Sequence, residues 1–371
     1  MKNRLKLALV GLLLINSWAN AQSVEAQFQA LIDSVFIRNP SSVGILVHVE
    51  SPGKGISWSG ASGYPYKDAK TKLEPDQPAL IASSMKPYVS ATILRLQELG
   101  KLTIEDPICN WLTEETITLF ESDGYDLNLI RIKHLLSHTS GIEGYLNYEF
   151  FDWVTRNPNF SWTRNGLLQQ AVKMGDPLGK PEDVFRYQDA NYLLCTEIIE
   201  GVTNKPFYEA MRELLRYDEF GFTDTWFPTL EAKGENTKTL IHQYRGEMGW
   251  DSYNIDISWD LYGGGGIAST TKETAQFFYK LFTGKIIEDQ NTFNQIFTQI
   301  NTKDGGGEDY LLGVMEGSVR GYKSYGHRGF WGTDVLYLPE IKSSIAVFIS
   351  ERDNLELRHE ITDRIIEILN K

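Results

Sequence analysis

The chain has little cysteine, no long apolar run beyond its first stretch, and a deficit of positive charge. Two cysteines in 371 residues, Cys109 and Cys195, exclude a disulfide framework and a zinc site built on thiolates. Both sit in apolar surroundings, so two free thiols are expected ahead of one bridge. No segment after the amino terminus approaches the roughly 18–20 apolar residues that a membrane span requires. Lysine and arginine number 36 against 49 acidic residues, and the resulting charge of −13 argues against nucleic acid or an anionic membrane as a partner. Repeats are absent. The two glycine runs, Gly263 to Gly266 and Gly305 to Gly307, lack the following Lys-Ser/Thr of a phosphate loop.

What is present begins with MKNRLKLALVGLLLINSWANA. Lys2, Arg4 and Lys6 precede an apolar run shorter than a span, and Ala19-Asn20-Ala21 closes it with a small-x-small cleavage pattern. Residues 1–21 therefore read as a secretory signal, and a periplasmic or secreted protein is expected. Cleavage there removes three positive charges and no negative ones, taking the net from −13 to −16.

The remaining length can form two lobes, with roughly three quarters of the unfolded surface buried. Val24, Phe28, Leu31, Ile32 and Val35 recur at helical spacing. GILVHVE and ISWSGASGY flank the turn-forming Ser51-Pro52-Gly53-Lys54-Gly55 and read as a hairpin. FWGTDVLYLPE and SSIAVFIS read as two more strands, before a closing helix with Ile361, Ile365, Ile368 and Leu369 on one stripe. The middle is mostly helical pattern. The expectation is an α/β (α+β) fold: an antiparallel sheet built from both chain termini, flanked by helices, with a mainly helical lobe inserted. Residues 22–82 and 260–371 would form the sheet lobe and 83–259 the helical lobe of one catalytic unit, with function in the crevice between them.

The pattern Ser-x-x-Lys occurs at Ser51/Lys54, Ser83/Lys86 and Ser269/Lys272. The first lies in the turn, and Ser269 reads as a helix N-cap. Ser83 differs. Val89, Ile93, Leu96 and Leu99 mark a helix that starts near Ser83 and stops at Gly100, so Ser83 lies at its N-terminus with Lys86 one turn on, on the same face. Unpaired backbone N–H groups at that end stabilise developing negative charge, and a desolvated lysine can accept the serine proton. Pro87 falls in the first turn, where a missing N–H costs least.

From here the sequence resembles a family. IASSMKPYVSATILRLQELGKLTIEDPI (81–108) resembles the first motif of the serine beta-lactamase and penicillin-binding-protein superfamily, in the branch holding class C beta-lactamases, DD-carboxypeptidases and related esterases. RIKHLLSHTSGI, FRYQDANYLLCTEIIEGVTNKPF, GGGGIASTTKETAQFF and YGHRGFWGTDVLYLPE resemble its later segments in order, so the likeness covers almost the whole mature chain. The resemblance implies that Ser83 is the acylated nucleophile and Lys86 its partner amine. It implies Tyr187 as the second half of the base, a phenol kept near ionisation by Lys86. His327 would open the third motif and supply a proton or a positive field, and Gly329 would allow close approach of substrate backbone. The oxyanion donors would be the N–H groups of Ser83 and Phe330. Two rivals are set aside: Tyr145-Leu146-Asn147 follows the SHTSG loop, and Lys303-Asp304-Gly305 sits in a glycine-rich loop.

Two positions depart from the pattern. Asp189 stands where an Asn is usual, and a carboxylate only accepts hydrogen bonds. An ion pair to Lys86 would make the lysine a poorer base, and substrates offering an amine or hydroxyl would be preferred over acylamino beta-lactams. Arg328 stands where a small hydroxyl residue is common; turned inward, it would clamp a terminal carboxylate, and turned outward it would be solvated. His134 and His138, at i and i+4, lack the intervening Glu and further ligands of a zinc motif and read as packing groups. No metal or cofactor is expected. The reading is a monomeric, exported serine hydrolase acting on a small molecule or peptide, such as a cell-wall peptide, in a DD-carboxypeptidase-like manner, or on a small ester. A beta-lactamase and a non-catalytic penicillin- or peptidoglycan-binding sensor remain as alternatives. Trp- and Tyr-rich loops at 110–165 and 215–260 suggest an aromatic-walled cleft.

Overall fold

A computed structural model describes residues 23–371; the signal-peptide expectation at 1–21 lies outside the described residues. Helix α1 (Val24–Arg38) starts where the Ser23 hydroxyl accepts from Ala26 N–H, and buries Phe28, Ile32 and Val35. Strands β1 (Gly44–Ser51) and β2 (Ile56–Gly63) form the amino-terminal hairpin, whose turn ends at Gly55 in the left-handed conformation. A short β3 (Ala79–Leu80) leads to a 3-10 turn at Ala82–Met85 and helix α2 (Lys86–Glu98).

The intervening helices are α3 (Glu114–Ser122), α4 (Ile132–Leu136), α5 (Tyr148–Arg156), α6 (Arg164–Met174), α7 (Asp189–Thr203), α8 (Phe207–Leu214) and α9 (Tyr217–Phe220). After the short strands β4 (Tyr244–Arg245), β5 (Trp250–Asp251) and β6 (Ala268–Ser269) come α10 (Thr271–Phe282) and α11 (Gln290–Gln295). The chain closes with β7 (Met315–Val319), β8 (Tyr322–Gly329), β9 (Thr333–Leu338), β10 (Ser343–Ile349) and α12 (Glu356–Leu369).

Six strands form one antiparallel sheet in the order β2-β1-β10-β9-β8-β7, so the two chain ends meet at the β1–β10 pair. Alternation along these strands sends side chains into two layers. Ile45, Val47 and Val49, with Ile345, Val347 and Ile349, pack against Phe28, Ile32 and Val35 of α1 and Ile361 and Ile365 of α12. Leu46, Ala346 and Phe348 face the larger core with α10 and the helices beyond it. Both faces of β1 and β10 are thus buried, which is why they read as near-continuous apolar runs. Truncating Phe28 to Ala would cost roughly 3–5 kcal/mol, since such a core closes poorly over a lost ring.

Helix α2 runs through the larger core, packed on α7 and α8, and is buried around nearly its whole circumference from Lys86 to Leu94. Two expectations shift here. The α-helix begins at Lys86, and Ser83 lies in the 3-10 turn before it; Leu99 is 49% exposed at the helix end. At Ser269/Lys272 the N-cap is Thr270, whose hydroxyl accepts from Glu273 N–H, while Ser269 belongs to β6.

Candidate active site

Tight 3-10 winding brings residues i and i+3 onto the same side. That puts Lys86 Nζ 2.9 Å from Ser83 Oγ. Ala82, just before the serine, adopts φ +47°, a left-handed conformation that costs about 1–3 kcal/mol in a residue with a Cβ. Neighbouring groups hold the turn. Ile81 carbonyl accepts from Thr333 Oγ1 (2.9 Å), and Ser84 Oγ lies 3.3 Å from both the His327 carbonyl and Thr333 Oγ1. The buried Ser84, which sequence reasoning missed, thus ties the Ser83 turn to β8 and β9.

Gly329 serves the same junction: a Cβ there would fall 2.2 Å from the Ile81 carbonyl oxygen and 2.2 Å from Thr333 Oγ1. Its small size admits the Ile81 carbonyl and the Thr333 hydroxyl, and Gly329 also lines the cleft. Ser83 is half-buried and opens to a cleft of about 380 Å³ that also touches Tyr187, Asp189, Trp259, Asp260, His327 and Phe330.

Lys86 is wholly buried and has three partners: Ser83 Oγ, Asp189 Oδ1 at 2.7 Å and the Gly264 carbonyl at 2.6 Å. An ammonium donates to all three. A neutral amine donates to Asp189 and Gly264 and turns its lone pair to Ser83 Oγ, so the same positions serve the state in which the amine takes the serine proton. Asp189 opens α7 and is itself buried, so the expected ion pair forms inside the protein.

The Tyr187 side chain lies beside Ser83 in the same cleft, and Lys86 Nζ lies 4.9 Å from its ring centroid. Burial, with Asp189 and Asp260 adding to it, holds the phenol well above the ordinary tyrosine value. This corrects the expectation of a phenol near ionisation: Tyr187 is a neutral hydroxyl that can pass on a proton. Its ring is set by His138, 4.3 Å away centroid to centroid. His138 Nδ1 accepts from Gln188 N–H at 3.2 Å, and burial first, then Lys86 and His327, hold this imidazole well below its usual value. His134 instead meets Arg131 N–H and Glu182.

His327 lies on β8, buried, with Nδ1 2.8 Å from the Arg328 carbonyl. A carbonyl only accepts, so Nδ1 carries the proton and Nε2 accepts from Tyr310 Oη at 3.2 Å. Burial, reinforced by Lys86, lowers its pKa to about 3, so the ring is neutral and supplies no positive field. Arg328 is exposed, with Nε 3.7 Å from Asp334 across the strand pair; the outward orientation is the one found. Phe330 follows the last residue of β8, and Ser83 N–H lies in the first turn of the 3-10 segment, where donors lack intrahelical partners.

The rivals resolve into local roles. Tyr145 Oη donates to the Trp259 carbonyl, and the Asn147 side chain accepts from Phe150 N–H as the cap of α5. Lys303 is 77% exposed and pairs with Asp183. The cysteines are free thiols, with Cys195 buried and Cys109 half-buried.

The aromatic wall is built around Phe330, which stacks on Phe151 at 5.8 Å and meets Trp259 edge-on at 5.2 Å. Arg245 and Arg352 flank the Phe330 ring at 4.7 and 5.3 Å. Asp260 is the other residue that the sequence did not reveal. It is 5% exposed and lines the cleft floor near Asp189.

Comparison with known proteins follows the same lines. The beta-lactamase family profile matches residues 32–370. The Bacillus subtilis (strain 168) protein PbpX, named as a putative penicillin-binding protein, is 25% identical over 325 residues, covering 83% of this chain and 71% of that protein. Esterase EstB of Burkholderia gladioli is 34% identical over 148 residues, 40% of this chain and 34% of the esterase. In three dimensions the D-amino acid amidase of Ochrobactrum anthropi SV3 superposes with a TM-score of 0.77 over 94% of this chain and 99% of that one, at 20% identity, a likeness of fold. Among the described residues no helix is long and apolar enough to cross a membrane.

Proposed function

Since the chain belongs to the beta-lactamase family, whose profile spans nearly its whole length, we propose that it is an exported serine hydrolase that works through an acyl-enzyme on Ser83. The observation that carries this reading is the 2.9 Å approach of Lys86 Nζ to Ser83 Oγ beside the Tyr187 hydroxyl, at the floor of an open cleft. Ser83 Oγ attacks the substrate carbonyl carbon and its proton passes to Lys86. The backbone N–H groups of Ser83 and Phe330 face the developing oxyanion. Tyr187 hands a proton to the departing amine or alcohol and is reprotonated from Lys86, which leaves an ester on Ser83. Water then attacks that ester, the acid is released, and Ser83 regains its proton.

A peptide or amide cleaved in the DD-carboxypeptidase manner ranks first as substrate, and a small ester second. Beta-lactams rank lower, because Asp189 offers no donor to an acylamino carbonyl. The ion pair between Lys86 and Asp189 favours one further reading, a slow-turnover binder that stays acylated by a penicillin. Initial rates on D-Ala-D-Ala peptides, p-nitrophenyl esters and nitrocefin, for wild type and Ser83→Ala, test the proposal. Hydrolysis of a peptide or ester that vanishes in Ser83→Ala is expected. Equal rates in the two proteins would overturn it, and a persistent penicillin adduct without turnover would favour the binder.

A further inference from the structure

Two carboxyl groups but one amine lie on the cleft floor. Asp189 is taken by Lys86, whereas Asp260 has no side-chain hydrogen bond or ion pair among the described residues. It nonetheless belongs to the cleft lining. The glycine run explains how both carboxyls fit. A Cβ at Gly264 would stand 2.5 Å from Asp189 Oδ2, and one at Gly265 would stand 2.2 Å from Asp260 Oδ2. The run cradles carboxylates instead of a phosphate, and Gly264 adds its carbonyl to Lys86. Arg352 and Arg358 also line the cleft and Arg328 stands at its exposed rim, and none of them pairs with Asp260: Arg358 donates to the Thr333 carbonyl and Arg328 faces Asp334.

We propose that Asp260 recognises a primary ammonium on the acyl side of the substrate, so that amides whose reacting acyl group carries a free amine are favoured and displace D-Ala-D-Ala peptides, whose acyl-side nitrogen is already acylated, from first rank. This rests on Ser83 being the acylated residue and names the substrate class for that site. A buried acid with an accessible face and no partner gains most from a ligand that brings the missing cation. Burial, with Asp189 adding to it and Lys86 opposing, holds the Asp260 carboxyl well above the usual range. An arriving ammonium supplies the charge that lets it ionise. Tyr145, Tyr187 and Tyr310, which also feel the charge of Asp189, are neutral hydroxyls.

Calorimetric binding to the full-length Ser83→Ala protein, which cannot turn substrate over, tests this without dependence on catalysis. The probes are D- and L-leucine amide against 4-methylpentanamide, which differs only by the missing amine. One leucine amide stereoisomer is expected to bind at least about tenfold more tightly than the desamino compound, the scale of a charged hydrogen bond to a buried group. In Ser83→Ala/Asp260→Asn that ratio should fall to about one. Equal binding of the probes, no binding by any of them, or a ratio that survives Asp260→Asn overturns the inference. Separate labelling of wild-type Ser83 by a fluorophosphonate reports on the nucleophile alone, so the two failures are distinguishable.

Discussion

Replacing Asp189 by Asn keeps the shape of the side chain and removes its charge from beneath Lys86. The two side chains are 3% and 0% exposed and 2.7 Å apart, so water cannot make up the loss. Removing one partner of a buried pair costs about 3–5 kcal/mol, because the other charge is left uncompensated. The introduced amide still offers its oxygen to Lys86, and that one charge-assisted hydrogen bond recovers roughly 1.5–3 kcal/mol, while the bonds of Lys86 to Ser83 Oγ and the Gly264 carbonyl are the same in both proteins. The difference is about 2 kcal/mol, or roughly 4 °C in Tm at some 2 °C per kcal/mol for a large single unit. Differential scanning calorimetry of wild type, Asp189→Asn, Lys86→Met and the double variant gives the coupling directly. A coupling of about 2 kcal/mol is expected, as for groups sharing one buried bond. Additive losses, or an Asp189→Asn protein as stable as wild type, would refute the buried ion pair. The same variant should turn over penicillins faster than wild type, since it regains a donor and frees the lysine; equal rates would refute that part.

Three other outcomes follow from the geometry. Gly329→Ala should lose about 3 kcal/mol or more, since its Cβ meets backbone that cannot swing aside; thermal melts and residual esterase activity check this, and a near-neutral effect would contradict the close junction at Ile81. His327 is neutral down to about pH 3 in the fold but protonates near pH 6.5 when unfolded, so stability is complete above pH 6.5 and is lost as pH falls toward 3. The slope from this residue is about 1.4 kcal/mol per pH unit, and His327→Gln should flatten it in acid-unfolding curves; an unchanged slope would count against its burial as a neutral ring. Arg328→Ala should leave discrimination between free-acid and amidated peptides unchanged, and a loss of discrimination would restore the carboxylate clamp.

The layers of this fold were legible where a period lasted long enough. β1, β2, β9 and β10 and the two terminal helices each run for six residues or more, long enough for a period to show. Strands β3 to β6 are two residues long and exist only through tertiary pairing, so no period could reveal them. Ser83, Lys86, Tyr187, Asp189 and His327 were found through motif order, and the fold brings them to one cleft. Their charge states were not legible, because they depend on burial: Tyr187 and His327 are both held neutral by surroundings assembled from distant segments. Ser84 was missed because only the 3-10 turn distinguishes the two serines, sending the Ser83 hydroxyl to the cleft and the Ser84 hydroxyl to Thr333. Asp260 sits in an ordinary Ser-Trp-Asp-Leu stretch with no pattern to mark it, and its close packing against Gly265 comes only from the fold.

The most direct test is the mass of the protein after exposure to a fluorophosphonate, followed by peptide mapping. One adduct per chain, confined to the peptide that contains Ser83 and absent from folded Ser83→Ala, is the predicted result. An adduct on another residue, or none on a natively folded wild type, would contradict a nucleophile prepared by Lys86 and Tyr187.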